Sequence, residues 1–221
     1  MEFVTTADGS KTIYNAKIGE NYHSKHGAVQ ESKHVFLKTG LEFYLERSES
    51  SKAAILEIGF GTGLNFIMTA DHCSSRAIKL DYCGIEAYPL TVDIIKKIGY
   101  DEYVSDNIWT DYINHYKDAL TGSVVVNDYV DLHIAHTKVL SFEASKLFDV
   151  IYFDAFAAIH QPEMWSDETL EHVTKFLKPG SVFVTYAITG NLKRSMKALG
   201  FTIEKAPGAP GKREMLRAIK L

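Results

Sequence analysis

An apolar run that ends in alternating glycines constrains this chain more than any other feature: Ala53-Ala54-Ile55-Leu56-Glu57-Ile58, then Gly59-Phe60-Gly61-Thr62-Gly63. The run reads as a buried strand, and Leu64 to Ala70 behind it keeps helix-compatible spacing, so the unit is strand, glycine turn, helix. Glycine accepts positive φ and puts no Cβ in a ligand's way, while a helix start offers free N–H groups to a crevice. The same pattern returns at Leu80–Glu86, with Pro89 suited to the first turn of the helix that carries Lys96 and Lys97. Val130–Ile134, Phe148–Phe153 and Ser181–Tyr186 read as further strands, with a helix between Pro162 and Leu177 that Lys178-Pro179-Gly180 closes. Asp101–Asp128 resists assignment beyond a helix that includes Ile108–Leu120. After a helix near Leu192–Leu199, Phe201–Glu204 and Glu214–Ile219 flank a Pro/Gly loop, as in an antiparallel hairpin. Such alternation predicts a Rossmann-like three-layer α/β fold: a mostly parallel seven-stranded sheet with a C-terminal antiparallel hairpin, binding its ligand at the carboxyl ends of the strands. Residues 1–50 are expected to form an N-terminal segment packed on a domain of residues 51–221.

Composition removes several alternatives. With 221 residues, 46% hydrophobic and 24% charged, the chain suits one globular domain and neither a disordered nor a fibrous protein. Cys73 and Cys83 lack metal-site spacing and are expected to be reduced. His23, His26, His34 and His160 show no ligand spacing with carboxylates, so no metal is expected. No basic-then-apolar leader opens the sequence and no apolar stretch approaches the roughly 18 residues of a membrane span, so a soluble cytoplasmic protein that meets no membrane is expected. The net charge of −4 is unevenly spread: residues 190–221 hold eight basic and two acidic side chains. Because charge is screened over about 8 Å at physiological salt, a local cationic face there could hold phosphates; an ordinary solvated surface is the alternative.

The glycine spacing is G-x-G-x-G, unlike the G-x-G-x-x-G of dinucleotide binders, and Glu57 two positions before it would repel a pyrophosphate. An acidic group there suits the cationic amino-acid end of S-adenosylmethionine. Glu86, closing the second strand, is placed to accept hydrogen bonds from ribose hydroxyls. Asp154, at the end of Tyr152-Phe153-Asp154, should emerge at the same sheet edge as the glycines. Met164 and Trp165 could wall a substrate cavity or belong to the core.

Four blocks resemble the methyltransferase domain of the MnmC family of tRNA-modifying proteins, which also occurs as a stand-alone enzyme. They are Tyr22-His23-Ser24 to Gly27 with Glu31-Ser32-Lys33-His34-Val35-Phe36; Glu57 to Phe66; Phe153 to Trp165; and Pro210-Gly211-Lys212-Arg213-Glu214-Met215-Leu216. The resemblance implies methyl transfer from S-adenosylmethionine to the exocyclic amine of 5-aminomethyl-2-thiouridine at the tRNA wobble position. It makes Asp154 the catalytic carboxylate and puts Glu57, Gly59, Gly61, Gly63, Asn65 and Glu86 in the cofactor shell, to which Phe60, Phe156 and His136 are added. The family usually has Gly-Asp where this chain has Ala135-His136, and a proline where it has Ala158. The anticodon arm of tRNA is the expected partner, with His160, Trp165, Lys193, Arg194, Lys212 and Arg213 as candidate contacts. No flavin is expected here, so a separate enzyme would supply the aminomethyl intermediate. Other readings remain open at this point: a small-molecule amine or protein methyltransferase, an aminopropyltransferase-like enzyme, an NAD-dependent oxidoreductase, or a non-catalytic tRNA-binding module.

Overall fold

A computed structural model describes residues 2–221. The chain opens with a small antiparallel sheet, β1 Glu2–Thr5, β2 Lys11–Asn15 and β3 Glu20–Asn21. One long helical segment follows: α1 Ala28–Glu31 runs through the π-helical turns of Ser32–Glu42 into α2 Phe43–Ser48. Gly40 lets this helix lie flat on the main sheet, since a Cβ there would come within 2.9 Å of both Tyr152 and Val184.

The remainder alternates. β4 Lys52–Ile58, α3 Leu64–Ser75, β5 Lys79–Glu86, α4 Val92–Ile98 and α5 Asp106–Ala119 lead to the hairpin of β6 Val124–Asn127 and β7 Val130–His136. β8 Phe148–Phe153, α6 Asp167–Thr174, β9 Leu177–Thr185, α7 Gly190–Ala198 and the hairpin of β10 Phe201–Pro207 with β11 Glu214–Lys220 complete it. The main sheet has the order β10-β11-β9-β8-β4-β5-β7-β6. Its five central strands are parallel, while β11, β10 and β6 run antiparallel to their neighbours. The predicted mostly parallel sheet and C-terminal hairpin are therefore present, with eight strands rather than seven. The additional strand, β6, lies in the stretch that gave no strand signal; it is a short edge strand whose register slips between Val125 and Asn127.

Strand alternation builds two cores. Along β8, Val150 and Tyr152 face the layer that holds Phe36, Phe66, Tyr82 and Tyr112, whereas Ile151 and Phe153 face the layer of Leu170, Phe183 and Met196. Two sequence expectations give way here. Pro89 precedes the helix instead of opening it, because Thr91 is the N-cap of α4. Lys178-Pro179-Gly180 does not stop a helix but bulges inside β9: pairing jumps from Phe148↔Leu177 to Val150↔Val182, and Gly180 has φ +77°.

Beneath that bulge Asp149, 6% exposed, accepts hydrogen bonds from the Ala54 amide at 2.8 Å and from Lys178 Nζ at 2.6 Å. Asp149→Ala orphans a strand amide and should cost roughly 1–3 kcal/mol of stability in a denaturant titration, while Asp149→Asn, which keeps an acceptor, should lose less.

Candidate active site

The carboxyl ends of β4, β5 and β8 meet where the glycine bend leaves β4. Gly59 (φ +87°) and Gly61 (φ +53°) occupy conformations that side chains disfavour, and Gly63 (φ +79°) is the N-cap of α3. The amides of Gly59 and Phe60 both donate to Ile85 O, at 3.1 and 3.0 Å, which folds the bend over the end of β5. Glu86 holds it from the side: one carboxylate oxygen accepts from the Gly61 amide at 2.8 Å and the other from the Tyr88 amide at 2.9 Å. Across the crevice the Asp154 amide donates to Ile58 O at 2.9 Å. The fit is tight, since a Cβ on Gly59 would lie 2.6 Å from Asp154 O.

These groups border a cavity of about 640 Å3 lined by Gly59, Gly61, Glu86, Asp154, Phe156 and Met164 from the main domain. The N-terminal hairpin supplies the opposite wall: Asn15 to Ile18, Tyr22 and His23. Tyr22 stacks edge-on against Phe156 with centroids 5.2 Å apart, and a Cβ on Gly61 would meet its ring at 2.9 Å. Glu20 fastens this wall to the loop after β8 by accepting from the Ala157 amide at 2.8 Å. Burial holds His23 neutral, with its pKa lowered to about 4, so it offers the cavity a polar but uncharged ring.

Behind the floor Asn65 Nδ2 donates at 2.8 Å both to Glu57 Oε1 and to Asp154 Oδ2, and the Tyr82 hydroxyl donates to Glu57 Oε2 at 2.8 Å. Glu57 is fully buried, so burial first and the nearby Asp154 second push its carboxyl well above the usual range. The Asp154 carboxyl is raised to about 8, chiefly by burial and next by the Glu31 carboxylate. Asn65 Oδ1 is buried without a partner. A chamber of this size, bordered by backbone glycines with the ribose-competent Glu86 beside Gly61 and the acidic Asp154 beside Gly59, suits the charges of S-adenosylmethionine. Glu86 retains lone pairs for ribose hydroxyls, and the Gly59 and Gly61 cradle is space that a side chain would fill.

The structure therefore brings Gly59, Phe60, Gly61, Glu86, Asp154 and Phe156 together on one cavity. Other expected shell residues stand elsewhere. Glu57 and Asn65 sit beneath the surface and reach the cavity through Asp154. Phe60 does border the cavity, and its ring, 2% exposed, also packs on Gly84, Phe66 and Tyr112. Gly63 faces Tyr112, whose hydroxyl lies 2.1 Å from where a Cβ would be, and so seals the bend against α5. His136 ends β7 exposed and outside the lining, where Thr137 and Val139 stand instead.

Of the residues expected to meet a nucleic acid, Trp165 is structural support: its Nε1–H donates to Phe156 O at 2.7 Å and its ring packs on Phe153 and Tyr186. His160 is exposed beside Gly19. Lys193 and Arg194 lie on α7, whose N-terminus follows the carboxyl end of β9, and Arg213 is exposed. Lys212, half-buried, lies 2.8 Å from Glu31 Oε1 with Nζ 3.8 Å from the Tyr186 ring centroid, so its charge already has a partner within the fold. Arg217 and Lys205 pair with Glu204 and Glu214, so much of the C-terminal positive charge is spent within the fold. The N-terminal wall was the part the sequence concealed: Tyr22 and His23 stood out as a block but nothing local assigned them to the crevice.

Comparison with known proteins agrees with this geometry. The model of a family described as S-adenosyl-L-methionine-dependent methyltransferase matches residues 101–221. The tRNA 5-methylaminomethyl-2-thiouridine biosynthesis bifunctional protein MnmC of Magnetococcus marinus is 28% identical over 232 residues, covering 98% of this chain and 34% of that protein. Its counterpart from Leptospira interrogans is 31% identical over 216 residues, covering 93% and 33%. The chain thus spans about a third of the length of these curated relatives. The crystal structure of MNMC2 from Aquifex aeolicus has the same fold, with a TM-score of 0.79 at 21% identity over 99% of this chain and 69% of that one. With the family model covering more than half of its length and the glycine bend, Glu86 and Asp154 sharing one cavity, the chain belongs to the S-adenosyl-L-methionine-dependent methyltransferases.

Proposed function

We propose that the chain methylates the exocyclic amine of 5-aminomethyl-2-thiouridine at the wobble position of tRNA, giving the 5-methylaminomethyl nucleoside. The observation that carries this reading is the placement of Asp154, a carboxyl raised to about 8, on the cavity that the glycine bend borders. The names of the relatives supply the nucleoside.

A primary alkylamine is mostly an ammonium at neutral pH and has no lone pair to donate. Asp154 as carboxylate accepts one proton from it, becoming a neutral acid and freeing the nitrogen. An acceptor whose pKa lies near the working pH is well matched to that task, and a cation in the cavity favours the ionised carboxylate it needs. S-adenosylmethionine, when bound, supplies an electrophilic methyl group. Asn65 fixes the carboxylate through its 2.8 Å hydrogen bond, while Tyr22 and Phe156 enclose the chamber and limit water. The nitrogen regains positive charge on alkylation, so the product leaves as a secondary ammonium.

On this reading the anticodon arm approaches the carboxyl edge of the sheet, with Lys193, Arg194 and Arg213 contacting phosphates and His160 close to the presented base. The aminomethyl group is formed in a separate preceding reaction that removes a carboxymethyl substituent, and no role for flavin is assigned to these residues. Radiolabelled methyl transfer to tRNA carrying the unmethylated amine, followed by nucleoside mass spectrometry, tests the proposal: the 5-methylaminomethyl product should appear, whereas methylation of small amines with tRNA left unchanged would overturn it. Replacing Lys193, Arg194 and Arg213 together by Ala should raise KM for tRNA by roughly tenfold or more at moderate salt and flatten its salt dependence, with kcat little altered.

A further inference from the structure

The N-terminal helix and the C-terminal hairpin meet through an ion pair that Tyr186 links to the loop after Asp154. Glu31, 7% exposed, accepts from the Ser24 amide at 3.0 Å through Oε2 and from Lys212 Nζ at 2.8 Å through Oε1. Lys212 also caps the face of Tyr186, whose hydroxyl donates at 2.9 Å to the carbonyl of Ala155, the residue after Asp154. The loop that carries Lys212 is wedged in place: a Cβ on Gly211 would lie 2.5 Å from His26, and His34 Nε2 lies 2.8 Å from Pro207 O. An ion pair taken out of water adds little stability by itself, which leaves its position to be explained.

We propose that Glu31 and Lys212 are positioning residues whose opposed charges set the ionisation of Asp154 through space, with Tyr186 tying the pair to the catalytic loop. The proposal rests on the reading of Asp154 as proton acceptor. The groups that surround Asp154 make the pair influential. From the N-terminal hairpin come Glu20, Tyr22 and His23, and from the main sheet Glu57 with Tyr82 behind it, Glu86 and Tyr186, with Tyr100 beneath. Nearly all are acidic or neutral; among the described residues the cations are Lys17, at the exposed rim of the cavity, and Lys212. Glu31 opposes ionisation of Asp154 and Lys212 favours it. Lys212 thus counters an otherwise acidic environment, and Glu31 moderates it. The pairing also makes proton uptake depend on both ends of the chain being docked.

The test uses the full chain without cofactor, with Asp154 titrated by carbon-detected NMR of isotope-labelled aspartate. Lys212→Met should move its midpoint upward and Glu31→Gln downward, each by about half a pH unit or more, a threefold change in the acid dissociation constant. The double variant should return towards the wild type, and Lys212→Arg should restore it. A support that was merely structural would move both single variants the same way or leave the midpoint alone, and either result overturns the proposal. Should Lys212→Met fail to fold, Glu31→Gln decides by itself, since an unmoved midpoint there is sufficient to reject the idea. Because this readout needs no tRNA, failure of methyl transfer to tRNA with the opposed shifts intact would reject the proposed substrate and leave the electrostatic role standing.

Discussion

Asp154→Asn should reduce methyl transfer by roughly 10²–10⁴-fold while making the cofactor-free protein more stable above pH 8 than the wild type. Asparagine has the shape of the neutral acid and can still accept from Asn65, but it takes no proton from an ammonium. The stability gain follows from linkage. The Asp154 carboxyl titrates at about 8 in the folded chain against an ordinary 3.8, so between those values the folded state binds more protons than the unfolded one. The stability associated with the neutral acid is complete below pH 4 and is lost as pH rises through 8. The advantage of Asp154→Asn should accordingly be negligible near pH 4, widen through neutrality and level off beyond 8. Thermal melts of both proteins across that range check the sign; an advantage that shrinks with rising pH would mean that the carboxyl is stabilised as an anion. S-adenosylhomocysteine binding should survive the substitution, which separates loss of proton transfer from loss of the pocket.

The parts of this site that could be read from sequence are those in which function coincides with local backbone pattern. A strand ending in glycines and a strand ending in Asp154 belong to parallel βα units, and parallel strands deliver their carboxyl ends to one edge, so their meeting followed from topology. The pairing of Glu31 with Lys212 was invisible because 181 positions separate them and neither periodicity nor composition marks a long-range pair. Phe60 was legible in part: its place in the bend marks it as a cavity-lining residue, which it is, whereas no local pattern shows that its ring also packs beside Gly84 in the core. The edge strand β6 escaped notice because only β7 pairs with it and a bulge breaks its alternation. Lys178-Pro179-Gly180 misled for a related reason, as the signature of a helix stop is also that of a bulged strand.

Gly59→Ala should weaken cofactor binding sharply, because it loads two costs on one atom. The residue has φ +87°, where a side chain costs about 1–2 kcal/mol. Its Cβ would also press to 2.6 Å from the backbone oxygen of Asp154, a contact that no rotamer change relieves. Overpacking of that kind adds about 1–3 kcal/mol. Since Asp154 is itself tied to Ile58 by a 2.9 Å hydrogen bond, relief must come from opening the crevice between β4 and β8. Affinity for S-adenosylhomocysteine should fall by roughly 30-fold or more, about 2 kcal/mol, in calorimetric titration. Gly200→Ala separates the two costs: it has φ +82° with nothing within 4 Å of the added carbon, and lies far along the chain after α7. It should lose stability through backbone strain and bind the ligand normally. If instead Gly59→Ala bound as tightly as the wild type, the bend would not be the cradle, and the shared cavity would have to place its cofactor against β5 and β8 alone.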